Sequence, residues 1–203
     1  MSHEDRHDGS ERDVDGDDHD HDGSEHDHDH HHHDAESVSV AVVTVSSSRT
    51  MDADPSGDFI VSALEEAGHD VVVRELIADD FDGVQGAVDR LIRRDDTDAV
   101  VTTGGTGVTP DDVTPEAVDD LLGKELPGFG ELFRRLSHGE IGTRAIGSRA
   151  TAGVAERTLV FSLPGSTSAV RLGVEEVILP EIEHLVGLAS RGESESDDET
   201  SEE

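Results

Sequence analysis

Stretches rich in β-branched residues alternate along this chain with stretches whose apolar residues recur at helical spacing, and that alternation limits the fold more than any other feature. SVSVAVVTVSSS (Ser37 to Ser48) is almost continuously apolar until its final serines, as expected of a strand covered on both faces. DVVVRELIADD and DAVVTTGG read as second and third strands. Between the strands, DFIVSALEEAGH carries Phe59, Ile60, Ala63, Leu64 and Ala67 at helical spacing and stops at Gly68. VQGAVDRLIRR places Val84, Val88, Leu91 and Ile92 on one helical face. Strands that alternate with helices require right-handed crossovers and a largely parallel sheet, so the predicted fold class is α/β with helices on both faces.

The second half is less regular. PGFGELFRRLS reads as a helix after a Pro-Gly bend, and RATAGVAERTLVFSLPG as two strands around a tight turn near Glu156-Arg157. TSAVRLGVEEVILPEIEHLV closes the domain as helix, broken before Pro180.

Both ends of the chain fall outside this pattern. Residues 1–36 contain 15 acidic residues and 10 histidines with almost nothing apolar, and 192–203 form a second acidic segment, GESESDDETSEE. Neither buries enough apolar surface to offset the entropy of ordering, so both are expected to be disordered tails around one domain at 37–191. That domain is itself acidic, with 27 Asp and Glu against 13 Lys and Arg, within a chain of net charge -34. Such a surface repels itself unless salt screens it to about 3 Å at 1 M, which points to a high-salt cytoplasm. No basic patch exists to seek phosphates, so nucleic-acid binding is not expected. There is no cysteine for disulfides or thiolate chemistry. No signal core is evident, and no apolar run approaches the roughly 18 residues of a membrane span.

Open α/β sheets bind ligands beyond the carboxyl ends of their strands, and three polar loops are expected there: Ser46 to Arg49, Thr102 to Asp112, and Pro164 to Thr167. The loop Gly104-Gly105-Thr106-Gly107 lacks the lysine of a P-loop and the third glycine of a dinucleotide fingerprint. Its backbone N–H groups could face an anion, helped by a helix starting near Thr114 with Pro115 in its first turn, or it could simply join strand to helix. Asp111 and Asp112 beside such a loop would repel an anion unless a cation intervened, and magnesium takes one or two carboxylates plus phosphate oxygens and water. A solvated aspartate pair is the plainer alternative in so acidic a chain. Ser166 in SLPGST caps the next helix or, together with neighbouring N–H groups, holds a second anion. His69, His138 and His184 have no ligand spacing, which argues against a zinc site in the domain.

TTGGTGVTPDDVTPEA, LPGFGELFRRLSHGEIGTRAIGSRATAG, LVFSLPGSTSAVRLGVEEVILPEI and DPSGDFIVSALEEAGHDV together resemble the MogA/MoaB family of molybdenum-cofactor biosynthesis proteins, in particular its MoaB branch, over Val38 to about Leu188. The resemblance implies a three-layer α/β/α sandwich with a mostly parallel sheet, assembled as a homotrimer or hexamer, that binds molybdopterin. It also implies adenylylation of molybdopterin by Mg-ATP with release of pyrophosphate; a noncatalytic molybdopterin-binding carrier is the alternative. By position, the family motif puts a catalytic, magnesium-binding aspartate at Asp112 and a second acidic residue at Asp79. Gly104, Gly105, Thr106, Gly107 and Thr114 would form the nucleotide or pterin-phosphate pocket, with Pro164, Gly165, Ser166, Ser46 and Ser47 beside it. Glu116 would hold the loop or join the metal shell. Two positions depart from the pattern. Asp111 stands where many relatives carry a basic residue, removing a positive charge beside the triphosphate. Ser48-Arg49 replaces an Asp-Arg pair, leaving Arg49 as the anion-binding candidate of that loop.

The histidine-rich start is outside the family pattern. Imidazoles alternating with carboxylates can chelate Zn, Ni, Cu or Co without a fixed fold; a solvated tail and a purification tag are the other readings.

Overall fold

The computed structural model describes residues 37–191, and the two acidic segments read above as tails lie outside the described residues. Three layers are present, built on a six-stranded sheet. The strands are β1 (Ser39–Val45), β2 (Asp70–Ile77), β3 (Ala99–Thr103), β4 (Lys124–Glu125), β5 (Thr151–Ala155) and β6 (Thr158–Leu163). Their spatial order is β2-β1-β3-β6-β5-β4. The four strands β2, β1, β3 and β6 run parallel, and β5 and β4 add an antiparallel edge. The α/β class with a mostly parallel sheet is therefore what the sequence pattern predicted. The two-residue β4 has no such pattern and forms because Leu126 N–H and Gly123 N–H reach carbonyls of β5.

The sheet divides the core into two apolar clusters, as the strands' alternation requires. Val40 and Val42 of β1, Val101 of β3 and Phe161 of β6 face helices α1 (Pro55–Glu66), α4 (Pro127–Ile141), α5 (Thr167–Gly173) and α6 (Leu179–Ala189). Ala41 and Val43 of β1, Val100 of β3 and Val160 of β6 face α2 (Phe81–Ile92) and α3 (Thr114–Asp119). Both faces of β1 and β3 are dry, and each buried valine or leucine contributes about 1.5–3 kcal/mol by leaving water.

The starts of α1 and α2 differ from the sequence reading for one reason, a side-chain cap lying upstream of the residues at helical spacing. The helix read from Asp58 in fact begins at Pro55, because Asp54 accepts from Gly57 N–H at 3.1 Å and Pro55 occupies the first turn. Asp80 starts α2 in the same way, accepting from Gly83 N–H at 2.8 Å. Pro127 and Gly128 are not a bend before α4 but its first turn, where proline's missing N–H costs nothing. The expected break before Pro180 takes the form of a π-helical stretch, Val174–Ile178, that carries the chain from α5 to α6 without leaving helix. The β5–β6 turn falls at Glu156-Arg157 as read, with Glu156 at φ 55°.

Leu64 is fully buried between α1 and the sheet, so Leu64→Ala is expected to cost about 2–5 kcal/mol, measured by denaturant unfolding at fixed salt.

Candidate functional site

The carboxyl ends of β1, β3 and β6 lie side by side, with Thr44 opposite Thr103 and Thr103 opposite Leu163 in the sheet register. The three loops that follow therefore converge, and they enclose a cavity of about 650 Å3. Buried hydroxyls fix the loops to one another. Thr103 Oγ1 donates to Pro164 O at 3.0 Å, Gly104 N–H to Leu163 O at 3.0 Å, and Thr114 Oγ1 to Gly104 O at 2.9 Å. Gly104 and Gly105 have φ of 106° and 63°. A side chain on Gly104 would overlap the Val45 carbonyl oxygen, and one on Gly105 would overlap Thr114 Oγ1 and the Asp79 carboxylate. Glycine is thus required here by both conformation and space.

The β1–α1 loop depends on a buried carboxylate that the sequence reading did not single out. Asp54 is 1% exposed, and it accepts from Thr44 Oγ1 at 2.6 Å and Gly57 N–H at 3.1 Å, with Arg49 at 3.3 Å and Arg74 at 3.5 Å. Burial raises its pKa, but the Thr44, Gly57 and Arg74 hydrogen bonds and the Arg49 charge outweigh burial and hold it below the ordinary value. Arg49 also donates to Gly165 O at 2.8 Å, as does Ser56 Oγ at 2.9 Å. The guanidinium expected to bind an anion is thus engaged in joining the first and third loops.

Three carboxylates, Asp79, Asp111 and Asp112, line the cavity with the glycine loop, and two of them have their pKa displaced in opposite directions. Asp112 accepts from Thr109 N–H at 2.8 Å and Thr109 Oγ1 at 2.6 Å. Burial pushes its pKa up, yet these bonds, the Gly107 amide and the Arg149 charge bring it below the usual value. Asp79 is pushed up, first by burial and then by the charges of Asp112, Asp111 and Asp80. Its Oδ1 is buried without a hydrogen-bond partner. A carboxylate oxygen left bare beside two others is an unfavourable arrangement that a cation would relieve. Among the described residues no cluster of three or more His, Asp or Glu could hold a metal alone, so a cation here would complete its shell with ligand oxygens and water.

Of the residues expected from sequence, Asp79, Asp112, Gly104, Gly105, Thr106, Gly107, Pro164, Gly165, Ser166, Ser46, Ser47 and Arg49 all line this cavity. Thr114 and Glu116 do not. Thr114 is fully buried, its hydroxyl holding the glycine loop from behind. Glu116 is ion-paired with Arg149, which also bonds Gly107 O and Asp112 O, so of the two roles expected for it the pairing favours holding the loop. Ser166 caps α5, accepting from Ala169 N–H at 3.4 Å, while still lining the cavity. The sequence reading also missed the opposite wall, where Phe133, Ser137 and Ile141 of α4 recur every four residues on one face. That spacing was available in the sequence, but it is indistinguishable from core packing without the fold.

Residues 41–184 match the family model described as a probable molybdopterin binding domain. The chain is 50% identical over 140 residues to molybdenum cofactor biosynthesis protein B of Bacillus subtilis, covering 68% of this chain and 82% of that protein. A crystal structure of a molybdenum cofactor biosynthesis protein B superimposes with a TM-score of 0.75 at 46% identity, over 77% of this chain and 98% of the other. The tungsten cofactor synthesizing protein MoaB from Pyrococcus furiosus is similar at 38% identity and a TM-score of 0.68, covering 76% and 98% of the two chains.

Because the folded-state pKa of Asp79 is raised, its carboxyl stabilises the fold while protonated and stops doing so as pH rises through the folded value. Asp79→Asn is therefore expected to raise Tm at neutral pH, with the gap closing as pH falls toward the ordinary carboxyl value of 3.8. Equal Tm for the two proteins at pH 7 would contradict the geometry.

Proposed function

The chain belongs to the molybdopterin-binding domain family of molybdenum-cofactor biosynthesis proteins, the MogA and MoaB group, and from that premise we propose that it adenylylates molybdopterin with Mg-ATP. The observation that carries this reading is the bare Asp79 oxygen beside Asp112, set against a glycine loop in a cavity large enough for a pterin and a nucleotide's phosphates. In the reaction, an oxygen of the pterin phosphate attacks the α-phosphorus of ATP, the bond to the bridging α–β oxygen breaks, and pyrophosphate leaves. No protein nucleophile is needed, so the protein's part is alignment and charge neutralisation.

Asp112, already ionised by its hydrogen bonds, and Asp79 would hold magnesium, which supplies positive charge against the triphosphate when bound. The backbone from Gly104 to Gly107 has no side chain at three of four positions and so admits phosphate oxygens close to the main chain. Pro164, Gly165 and Ser166 bound the other side, and Arg49 keeps that loop in place through Gly165 O. Phe133, Ile141 and Ala169 give the cavity an apolar wall suited to a flat ring.

A second reading, a molybdopterin carrier without nucleotide chemistry, is favoured by one observation: Arg49 is the one cation among the cavity-lining residues, and its guanidinium is engaged with Asp54 and Gly165. Asp111 adds negative charge where a cation would assist ATP. Assembly as a trimer or hexamer, a high-salt cytoplasmic setting, and transition-metal binding by the histidine-rich start are further parts of the proposal. The last falls outside the described residues and rests on composition.

Incubation with molybdopterin and Mg-ATP in molar potassium chloride is expected to yield AMP-linked pterin and pyrophosphate, and no product when magnesium is withheld. Asp112→Ala should lower turnover by about a hundredfold or more while leaving pterin binding measurable. Tight pterin binding without product in the wild type would select the carrier instead.

A further inference from the structure

Arg149 lies just before β5, behind the loop that bears Asp112, and one guanidinium bridges that loop from end to end. Its Nε donates to Gly107 O at 2.6 Å and its NH2 to Asp112 O at 2.7 Å. Its remaining amino group pairs with Glu116 in the first turn of α3. The backbone N–H of the same residue donates to Thr106 O at 3.1 Å. Four bonds from one residue therefore take in Thr106, both ends of the 107–112 segment and the helix that follows. The loop's own bonds span only its second half: Asp112 N–H donates to Thr109 O, and Thr109 N–H and Oγ1 donate to the Asp112 carboxylate, so the Gly107 end is tied by Arg149.

Charge points the same way. Asp79, Asp111 and Asp112 crowd the front of the loop, and Arg49 is engaged elsewhere. Arg149 is the cation that acts on Asp112, through the backbone from behind. Its side chain is 32% exposed and reaches a second cavity, lined in part by Glu116, Asp119 and Arg134, so it is not occupied in filling the core.

We propose that Arg149 is a positioning residue for the reaction: its planar fork holds the 107–112 loop so that Asp112 faces the glycine loop in the geometry that adenylyl transfer requires. This rests on the transferase reading above. A guanidinium fits two carbonyls and a carboxylate at once because its N–H groups diverge in one plane from three nitrogens, whereas a lysine ammonium offers its donors from a single nitrogen and cannot reproduce that planar fork.

The test compares the full chain with Arg149→Lys and Arg149→Gln by amide hydrogen exchange and by steady-state kinetics, with Tm measured for each. Exchange in 107–112 is expected to accelerate at least about tenfold in both variants while 164–167 is unchanged. kcat should fall by roughly ten- to a hundredfold, the scale of a misplacement near 1 Å, with KM for the pterin moving far less. Unchanged loop exchange in Arg149→Gln, or wild-type kcat in Arg149→Lys, would overturn the proposal. A wild-type protein that forms no product would sink the transferase reading itself, and the exchange comparison would still decide whether Arg149 fixes the loop.

Discussion

Three buried parallel strands that end level with one another are the constraint on which the site depends. Because β1, β3 and β6 share register at Thr44, Thr103 and Leu163, their loops emerge at one edge of the sheet whatever their individual sequences. The strands supply more than direction. Their last polar side chains, Thr44 and Thr103, turn a hydrogen bond out of the core, to Asp54 and to Pro164 O, so the edge of the hydrophobic layer is already the first layer of the site. A buried threonine in a valine strand is costly unless it finds such a partner, and here each partner is a loop.

Three aspartates show how surroundings divide one chemical group into separate tasks. Asp54 is enclosed by donors that hold its pKa below the ordinary value, and it works as a pin between loops. Asp112 is ionised by local bonds but faces the cavity. Asp79 is left short of donors and crowded by like charge, which makes its ionised form the least comfortable of the three. In a chain with so many carboxylates the useful distinction is the number of donors aimed at each, and no composition or spacing rule reports that number.

Much of the architecture was nevertheless legible. β-branched runs alternating with helical spacing fix a parallel sheet, and the parallel sheet in turn brings together Ser46, Gly104 and Gly165 from distant parts of the chain. Helix starts were read late at α1 and α2 because the cap, Asp54 or Asp80, precedes any apolar signal, although Asp followed by Pro at residues 54 and 55 was a usable sign. Arg149 was not legible: an arginine in a glycine-rich stretch has no periodicity, and its meaning arises only when the fold brings it to Gly107, Asp112 and Glu116. Thr114 and Glu116 stood in the right motif, but a motif fixes chain position and cannot say which side of a loop a side chain takes.

The Glu156-Arg157 turn lies at the opposite end of β6 from Leu163, so roughly 20 Å of strand separates it from the loops of the site. Both residues of the turn are exposed, so the turn is set apart from the loops of the site. A graft there would lengthen the molecule at the pole away from the ligand, whereas one added residue between Arg149 and Thr151 would shift the fork against the loop it grips. The two ends of a single hairpin thus differ in what a change of length would disturb: at one the solvent, at the other the grip on the loop.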